Sequence, residues 1–171
     1  GNDVLLGRAG SDVFHGGDDN DTITGGAGDD LLFGDGGDDV LIGSGGADVF
    51  VGGDGNDNLS GGGGRDVLIG GTGADSISGD AGDDLLIAAS TTHDNDPVAL
   101  NAIRTIWNGL GTNTFIITTL SNSLLPPSSI IDDGVGAVDV LSGDGGKDWF
   151  IASSHDTIVD FQRKQDTETI L

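Results

Sequence analysis

Cysteine, methionine and tyrosine are absent from the 171-residue chain, so it builds no disulfide scaffold, redox pair or thiolate metal site. Aromatic residues make up 5% of it and hydrophobic residues 35%, thin material for one globular core. Basic residues are also scarce: Lys and Arg number 6 against 29 acids, for a net charge of -23. A surface so negative repels nucleic-acid phosphates and anionic lipid, which leaves cations as partners. No apolar run approaches the roughly 20 residues of a membrane-crossing helix, and no N-terminal signal peptide is visible. Neither nucleic-acid binding nor membrane insertion is expected. What the chain has in excess is glycine, 33 residues without the third-residue period of collagen. Such a composition is either disordered or held together by metal.

A nine-residue period favours the second reading. Asp recurs at Asp3, Asp12, Asp21, Asp30, Asp39, Asp48, Asp57, Asp66, Asp75 and Asp84 without a gap. Two residues after each stands a large apolar residue, from Leu5 and Phe14 through Ile77 and Leu86. Gly opens each frame, from Gly7 to Gly79, and a second Gly stands two positions before the Asp in every frame but the one holding Asp19. The unit is GGxGxDxUx. Its Gly-rich half supplies a tight turn needing positive φ and exposed carbonyls, and the three residues after the Asp form one short strand whose middle side chain points inward. Two units make one coil, so each Asp stacks over the Asp two units away at about 4.8 Å per layer. A bare column of carboxylates at that spacing is untenable. A hard cation with six to eight oxygen ligands relieves it, and Ca²⁺ tolerates irregular geometry better than Mg²⁺.

The regular apolar column argues against a solvated disordered linker. An EF-hand is excluded because its loop ends in a bidentate Glu, and the one Glu of the chain is Glu168.

These residues closely resemble the repeats-in-toxin (RTX) family over Gly1 to Ile87. The resemblance implies an all-β repeat fold, a right-handed parallel β-roll with Ca²⁺ held between stacked turns. Departures fall at the second position of the unit, where Arg8, Asp35, Ser44 and Asp80 stand, and at the fourth, where Asp19 stands. Gly1 is the fourth position of a unit, so the chain is expected to be part of a longer one.

Because alternate units go to opposite sheets, the outer faces differ. One shows Val4, Leu6, Thr22, Thr24, Val40, Ile42, Asn58, Ser60, Ser76 and Ser78, turning polar along the roll. The other shows Val13, His15, Leu31, Phe33, Val49, Val51, Val67, Ile69, Leu85 and Ile87, apolar at all but one position, and requires a cover.

The division expected is a roll over 1–87, an inserted segment over 88–133, a resumed roll and closing strand over 134–161, and a tail over 162–171. Within the insertion, Asp96 and Pro97 read as N-cap and first residue of a helix over about 97–109, stopped by Gly109 or Gly111. Leu100, Ile103, Trp107 and Leu110 give it one apolar stripe, which suits the apolar sheet; another domain or a second copy is the alternative cover. Thr114 to Leu120 reads as a strand, Ser121 to Ser129 as a loop and Ile130 with Ile131 as an apolar anchor. Asp139 with Leu141 and Asp148 with Phe150 restore the repeat. Trp149 and Ile151 would extend the apolar face, and His155 to Phe161 resembles the closing strand of RTX proteins.

Catalysis finds little support. His15, His93 and His155 are scattered, and HExxH, GxSxG and GxxxxGK[ST] are all missing. Asp83 and Asp84 could serve as an acid/base pair, yet they occupy the turn and ligand positions of the repeat. The reading is a non-enzymatic module binding several Ca²⁺ ions, about eight to ten by stacking, through the ten repeat Asp residues together with Asp139 and Asp148. Resemblance to RTX proteins implies type I secretion from a Gram-negative-type bacterium, with this region as the C-terminal folding and export segment of a longer secreted protein, and residues Gln162 to Leu171 as a candidate part of the signal. The alternative is a self-assembling extracellular protein: surface layer, filament, biofilm matrix or adhesin.

Overall fold

The computed structural model describes residues 1–109, 130–131, 137–152, 155–160 and 167–170. Its first part is a run of eleven strands: β1 (Val4–Leu6), β2 (Val13–Asp18), β3 (Thr22–Ala27), β4 (Leu31–Gly36), β5 (Val40–Gly45), β6 (Val49–Asp54), β7 (Asn58–Gly64), β8 (Val67–Thr72), β9 (Ser76–Ser78), β10 (Ala81–Gly82) and β11 (Leu85–Thr91). The helix α1 (Pro97–Trp107) follows, then β12 (Ile130–Ile131), β13 (Val140–Ser142), β14 (Trp149–Ala152), β15 (Thr157–Asp160) and β16 (Thr167–Ile170).

The chain alternates between two parallel sheets, ordered β1-β3-β5-β7-β9-β13-β15 and β2-β4-β6-β8-β11-β14-β16. This is a parallel β-solenoid of seven coils. Register is uniform: Val40 pairs with Thr22 and Asn58, and Val49 with Leu31 and Val67, so equivalent repeat positions stack. The middle residues of the strands meet between the sheets, where Ile23, Leu32, Leu41, Phe50, Leu59, Leu68, Ile77, Leu86, Leu141 and Phe150 form one buried column.

Most repeat strands run to six residues where the sequence suggests three. Beyond the apolar triplet the Gly-rich half also pairs, as Gly26 with Ser44 and Gly53 with Gly71. Coils of constant length put turn over turn, so turn backbone groups bond to the next layer as strand groups do.

The roll is interrupted after β11 and resumes in register. β13 pairs β9, and β14 pairs β11 with Leu85 opposite Trp149. Ile130 and Ile131 pair antiparallel with Thr91 and Ser90. The span Thr114 to Ser129, read above as strand and loop, lies outside the described residues, as does Leu110.

Asp96 caps α1, its carboxylate accepting from the backbone N–H of Val98 and Ala99 with Pro97 in the first turn. The helix stops at Trp107, earlier than either Gly: Asn108 is its cap, and the Gly109 N–H already bonds to Ile106, a tightened last turn. Its inner face carries Leu100, Ile103 and Trp107, which pack on Leu31, Phe33, Val49, Val51, Val67, Ile69, Leu85 and Ile87, with Trp149 in the same cluster. The apolar outer sheet is thus covered by this chain's own helix. The cover ends short of the first coil, where Val13 stays 58% exposed.

Candidate metal site

Each repeat Asp is the last residue before a strand, and from Asp3 to Asp139 its carbonyl accepts from the first strand residue of the next coil, as Asp21 from Val40 and Asp39 from Asn58. That bond fixes the backbone and leaves the side chain in the turn. The structure sorts these residues into two columns at opposite edges of the roll. Asp3, Asp21, Asp39, Asp57, Asp75 and Asp139 line one, and Asp12, Asp30, Asp48, Asp66, Asp84 and Asp148 the other. From Asp21 to Asp84, and at Asp139 and Asp148, the residues are buried, at most 2% exposed.

The two oxygens of each carboxylate have different surroundings. Oδ1 accepts the backbone N–H of the Asp one coil earlier, at 2.6 to 3.0 Å throughout both columns. In Asp21, Asp30, Asp39, Asp48, Asp57, Asp66 and Asp84, Oδ2 is buried without a hydrogen-bond partner. Burying a charged oxygen unpaired is costly, and a group so placed either takes a proton or holds a cation. Desolvation pushes the carboxyl of Asp30 up, those of Asp39 and Asp48 to about 6, Asp57 and Asp66 to about 7, and Asp84 to about 8.

Five of these oxygens, in Asp21, Asp39, Asp48, Asp57 and Asp66, share the space at a Gly with a backbone carbonyl. A Cβ placed on Gly61 would stand 2.6 Å from Asp66 Oδ2 and 2.7 Å from the carbonyl oxygen of Gly79, one coil on. The same cradle surrounds Gly16, 2.6 Å from Asp21 Oδ2 and 2.7 Å from the Gly34 carbonyl. Carboxylate and carbonyl oxygens from neighbouring coils converge in the same way at Gly34, Gly43 and Gly52, where the first Gly of the unit leaves room. Among the described residues no three His, Asp or Glu side chains converge on one point. Main-chain oxygens must complete any metal site, a donor set of hard oxygens that suits Ca²⁺ and lacks the nitrogen or sulfur that favours zinc.

Except at Arg8, the departures from the Gly pattern are absorbed in the backbone. Asp35, Ser44, Asp80 and Asp144 at the second Gly position, and Asp19 at the fourth, all hold positive φ between 60 and 82°, the left-handed region that short polar side chains tolerate.

Two features escaped the sequence reading. Asp156 joins the first column, its Oδ1 accepting from the N–H of Asp139 at 3.2 Å. The signal was present, since Ile158 follows Asp156 by two, but the spacing from Asp139 is 17 instead of 18, and β13 and β15 shift register between Leu141 and Ser142 to absorb it. The second is a ladder on the outside of the same edge, where Asn20, Asp38 and Asn56 side chains accept from the N–H of Asp38, Asn56 and Ala74.

A family model described as RTX calcium-binding nonapeptide repeat matches the chain four times, over residues 1–32, 24–59, 33–68 and 60–90. No curated protein and no solved structure gives a match.

Proposed function

The chain belongs to the RTX calcium-binding nonapeptide repeat family and is a Ca²⁺-binding β-roll module, and from that premise we propose that the two Asp columns are its ligands and that Ca²⁺ folds it outside the cell. The ligand set is Asp3, Asp12, Asp21, Asp30, Asp39, Asp48, Asp57, Asp66, Asp75, Asp84, Asp139 and Asp148, completed by turn carbonyls. One observation carries the proposal: seven buried Oδ2 atoms point into the turns without a hydrogen-bond partner, and those of Asp21, Asp39, Asp48, Asp57 and Asp66 share the space at a Gly with a carbonyl oxygen of the next coil. A divalent cation there neutralises carboxylates that are otherwise desolvated and mutually repelling.

The functional consequence follows from thermodynamics. Without the cation a net charge of -23 opposes compaction and the Gly-rich backbone loses much entropy on ordering, so the chain stays open. With it, binding free energy becomes folding free energy. Extracellular Ca²⁺ modules work at roughly 10⁻⁴ to 10⁻³ M, so the chain is unfolded where Ca²⁺ is scarce and ordered outside. That asymmetry suits the export and folding segment of a secreted protein, with a structural and not a catalytic role. Among the described residues no helix is long and apolar enough to cross a membrane.

The test is a Ca²⁺ titration by far-UV circular dichroism with Mg²⁺ as control and light scattering on the same samples. Strand signal is expected to rise cooperatively at submillimolar to millimolar Ca²⁺ and not with Mg²⁺. A chain fully folded in excess chelator at pH 8 defeats the proposal, and Ca²⁺-dependent growth in scattering mass would favour a self-assembling extracellular role. Ligation is checked with a pair of substitutions. Asp57→Asn is expected to raise the Ca²⁺ midpoint severalfold, while Asp38→Asn on the exposed outer ladder leaves it within about twofold.

A further inference from the structure

The helix does more than cover apolar surface. Arg104, on the part of α1 nearest the turns, directs Nη1 at two backbone carbonyls, Asp30 at 3.4 Å and Ala47 at 3.3 Å. Those carbonyls belong to consecutive coils. One turn further along, the Trp107 indole N–H donates to the Asp83 carbonyl at 3.0 Å, and Arg65 Nε reaches the same oxygen at 3.4 Å. The Arg65 guanidinium lies 5.0 Å from the Trp107 ring centre, and Trp149 of the resumed roll meets that ring edge-on at 5.2 Å. Asp30, Ala47, Arg65 and Asp83 stand at or just before the Asp position of four successive coils, all on the edge that carries the Asp12 to Asp148 column. Among the described residues no α1 side chain hydrogen-bonds to a turn of the opposite edge.

We propose that α1 is a clamp whose docking is linked to cation loading of that one column. The inference rests on the Ca²⁺ reading above. The donors of Arg104 and Trp107 are fixed on one rigid helix, so they meet their acceptors together only when the coils are stacked in register. Stacking is also the condition for the carboxylate column to close on a cation. Two processes that need the same arrangement favour each other, and the coupling is reciprocal: cation binding strengthens docking, and docking tightens cation binding. The Trp107 contacts with Arg65 and Trp149 extend the clamp across the insertion, from the first stretch of roll to the resumed one. Arg104 and Trp107 are then positioning residues, acting on the site through the turn backbone.

The experiment uses the full chain, with Ca²⁺ titrations read by far-UV circular dichroism and Trp fluorescence. Arg104→Gln is expected to raise the Ca²⁺ midpoint about threefold or more and to lower the steepness of the transition. Thr105→Ala, one residue on and exposed, should stay within about twofold of the wild type. Column selectivity separates a clamp from general stabilisation. Combined with Asp48→Asn the Arg104→Gln shift should be less than multiplicative, and combined with Asp57→Asn on the other column it should multiply. An Arg104→Gln curve that superimposes on Thr105→Ala, or equal behaviour with both Asp variants, overturns the clamp. Should Arg104→Gln fail to fold at any Ca²⁺ concentration, Trp107→Phe decides: it keeps a ring in the cluster and loses the donor to Asp83, and a midpoint no different from Thr105→Ala overturns the proposal. A wild-type chain indifferent to Ca²⁺ would instead remove the reading beneath it.

Discussion

Glycine in this repeat answers three separate physical demands. The first Gly of each unit leaves room for a carboxylate and a carbonyl: at Gly61 an added Cβ would crowd Asp66 and Gly79. The second Gly is required by positive φ, as at Gly53 and Gly71, and short polar residues can take its place at Asp35 and Asp80. The fourth has both positive φ and the coil below pressed against it, as at Gly46, whose φ is 136° and whose Cβ would overlap the Gly28 carbonyl. Its neighbour Gly45 has nothing within 4 Å of an added Cβ. Gly46→Ala is therefore expected to cost more than about 2 kcal/mol and Gly45→Ala to stay within about 0.5 kcal/mol. Urea unfolding in saturating Ca²⁺ measures both. The sequence reading assigned all of this glycine to turn conformation. The steric part was not legible, because it depends on which carbonyl of another coil lies opposite.

At the scale of elements, the 11 residues of α1 run about 16 Å and lie on a sheet whose strands were marked by an outward apolar face. Its start was legible in Asp96 and Pro97, since capping is a local hydrogen-bond problem. Its end at Trp107 was not, because Asn108 closes the helix without the positive φ that a Gly signal implies. Asp96→Ala removes the acceptor for two first-turn N–H groups and should lower stability by about 1 kcal/mol. The loss is expected as a lower urea midpoint by Trp fluorescence in saturating Ca²⁺. The ladder of strands needed only the nine-residue count, whereas the one-residue slip at Asp156 could be placed only by the bulge that absorbs it.

For the molecule as a whole, the two columns make folding a matter of charge. Desolvation raises the carboxyls of Asp39, Asp48, Asp57, Asp66 and Asp84 to between about 6 and about 8 in the folded chain, against an ordinary value of 3.8. The folded state thus holds more protons than the unfolded one. The stability this contributes is full below about pH 4 and is lost as pH rises through about 6 to 8. In chelator the chain is expected to be compact near pH 4.5 and open at pH 8, with a radius of gyration moving from about 16 Å towards about 44 Å by X-ray scattering. Added Ca²⁺ should restore compaction at pH 8, and its apparent affinity should fall on acidification as protons compete for the same oxygens. A metal-free chain that expands as the pH is lowered would contradict this.

The sequence by itself determined the repeat, the two sheets, the inward apolar column and the stacked Asp residues from Asp3 to Asp148, because each is a matter of period and residue type along one chain. The two outer faces were legible for the same reason. Only the tertiary structure decided that, in Asp21, Asp30, Asp39, Asp48, Asp57, Asp66 and Asp84, Oδ1 is spent on the coil before while Oδ2 is buried without a hydrogen-bond partner. It alone placed a carbonyl of the next coil near the Oδ2 of Asp21, Asp39, Asp48, Asp57 and Asp66, and it brought Arg104 and Trp107 to the turns of one column. These are contacts between layers 18 or more residues apart, set by stacking register and by the path of the insertion, and no local pattern encodes them.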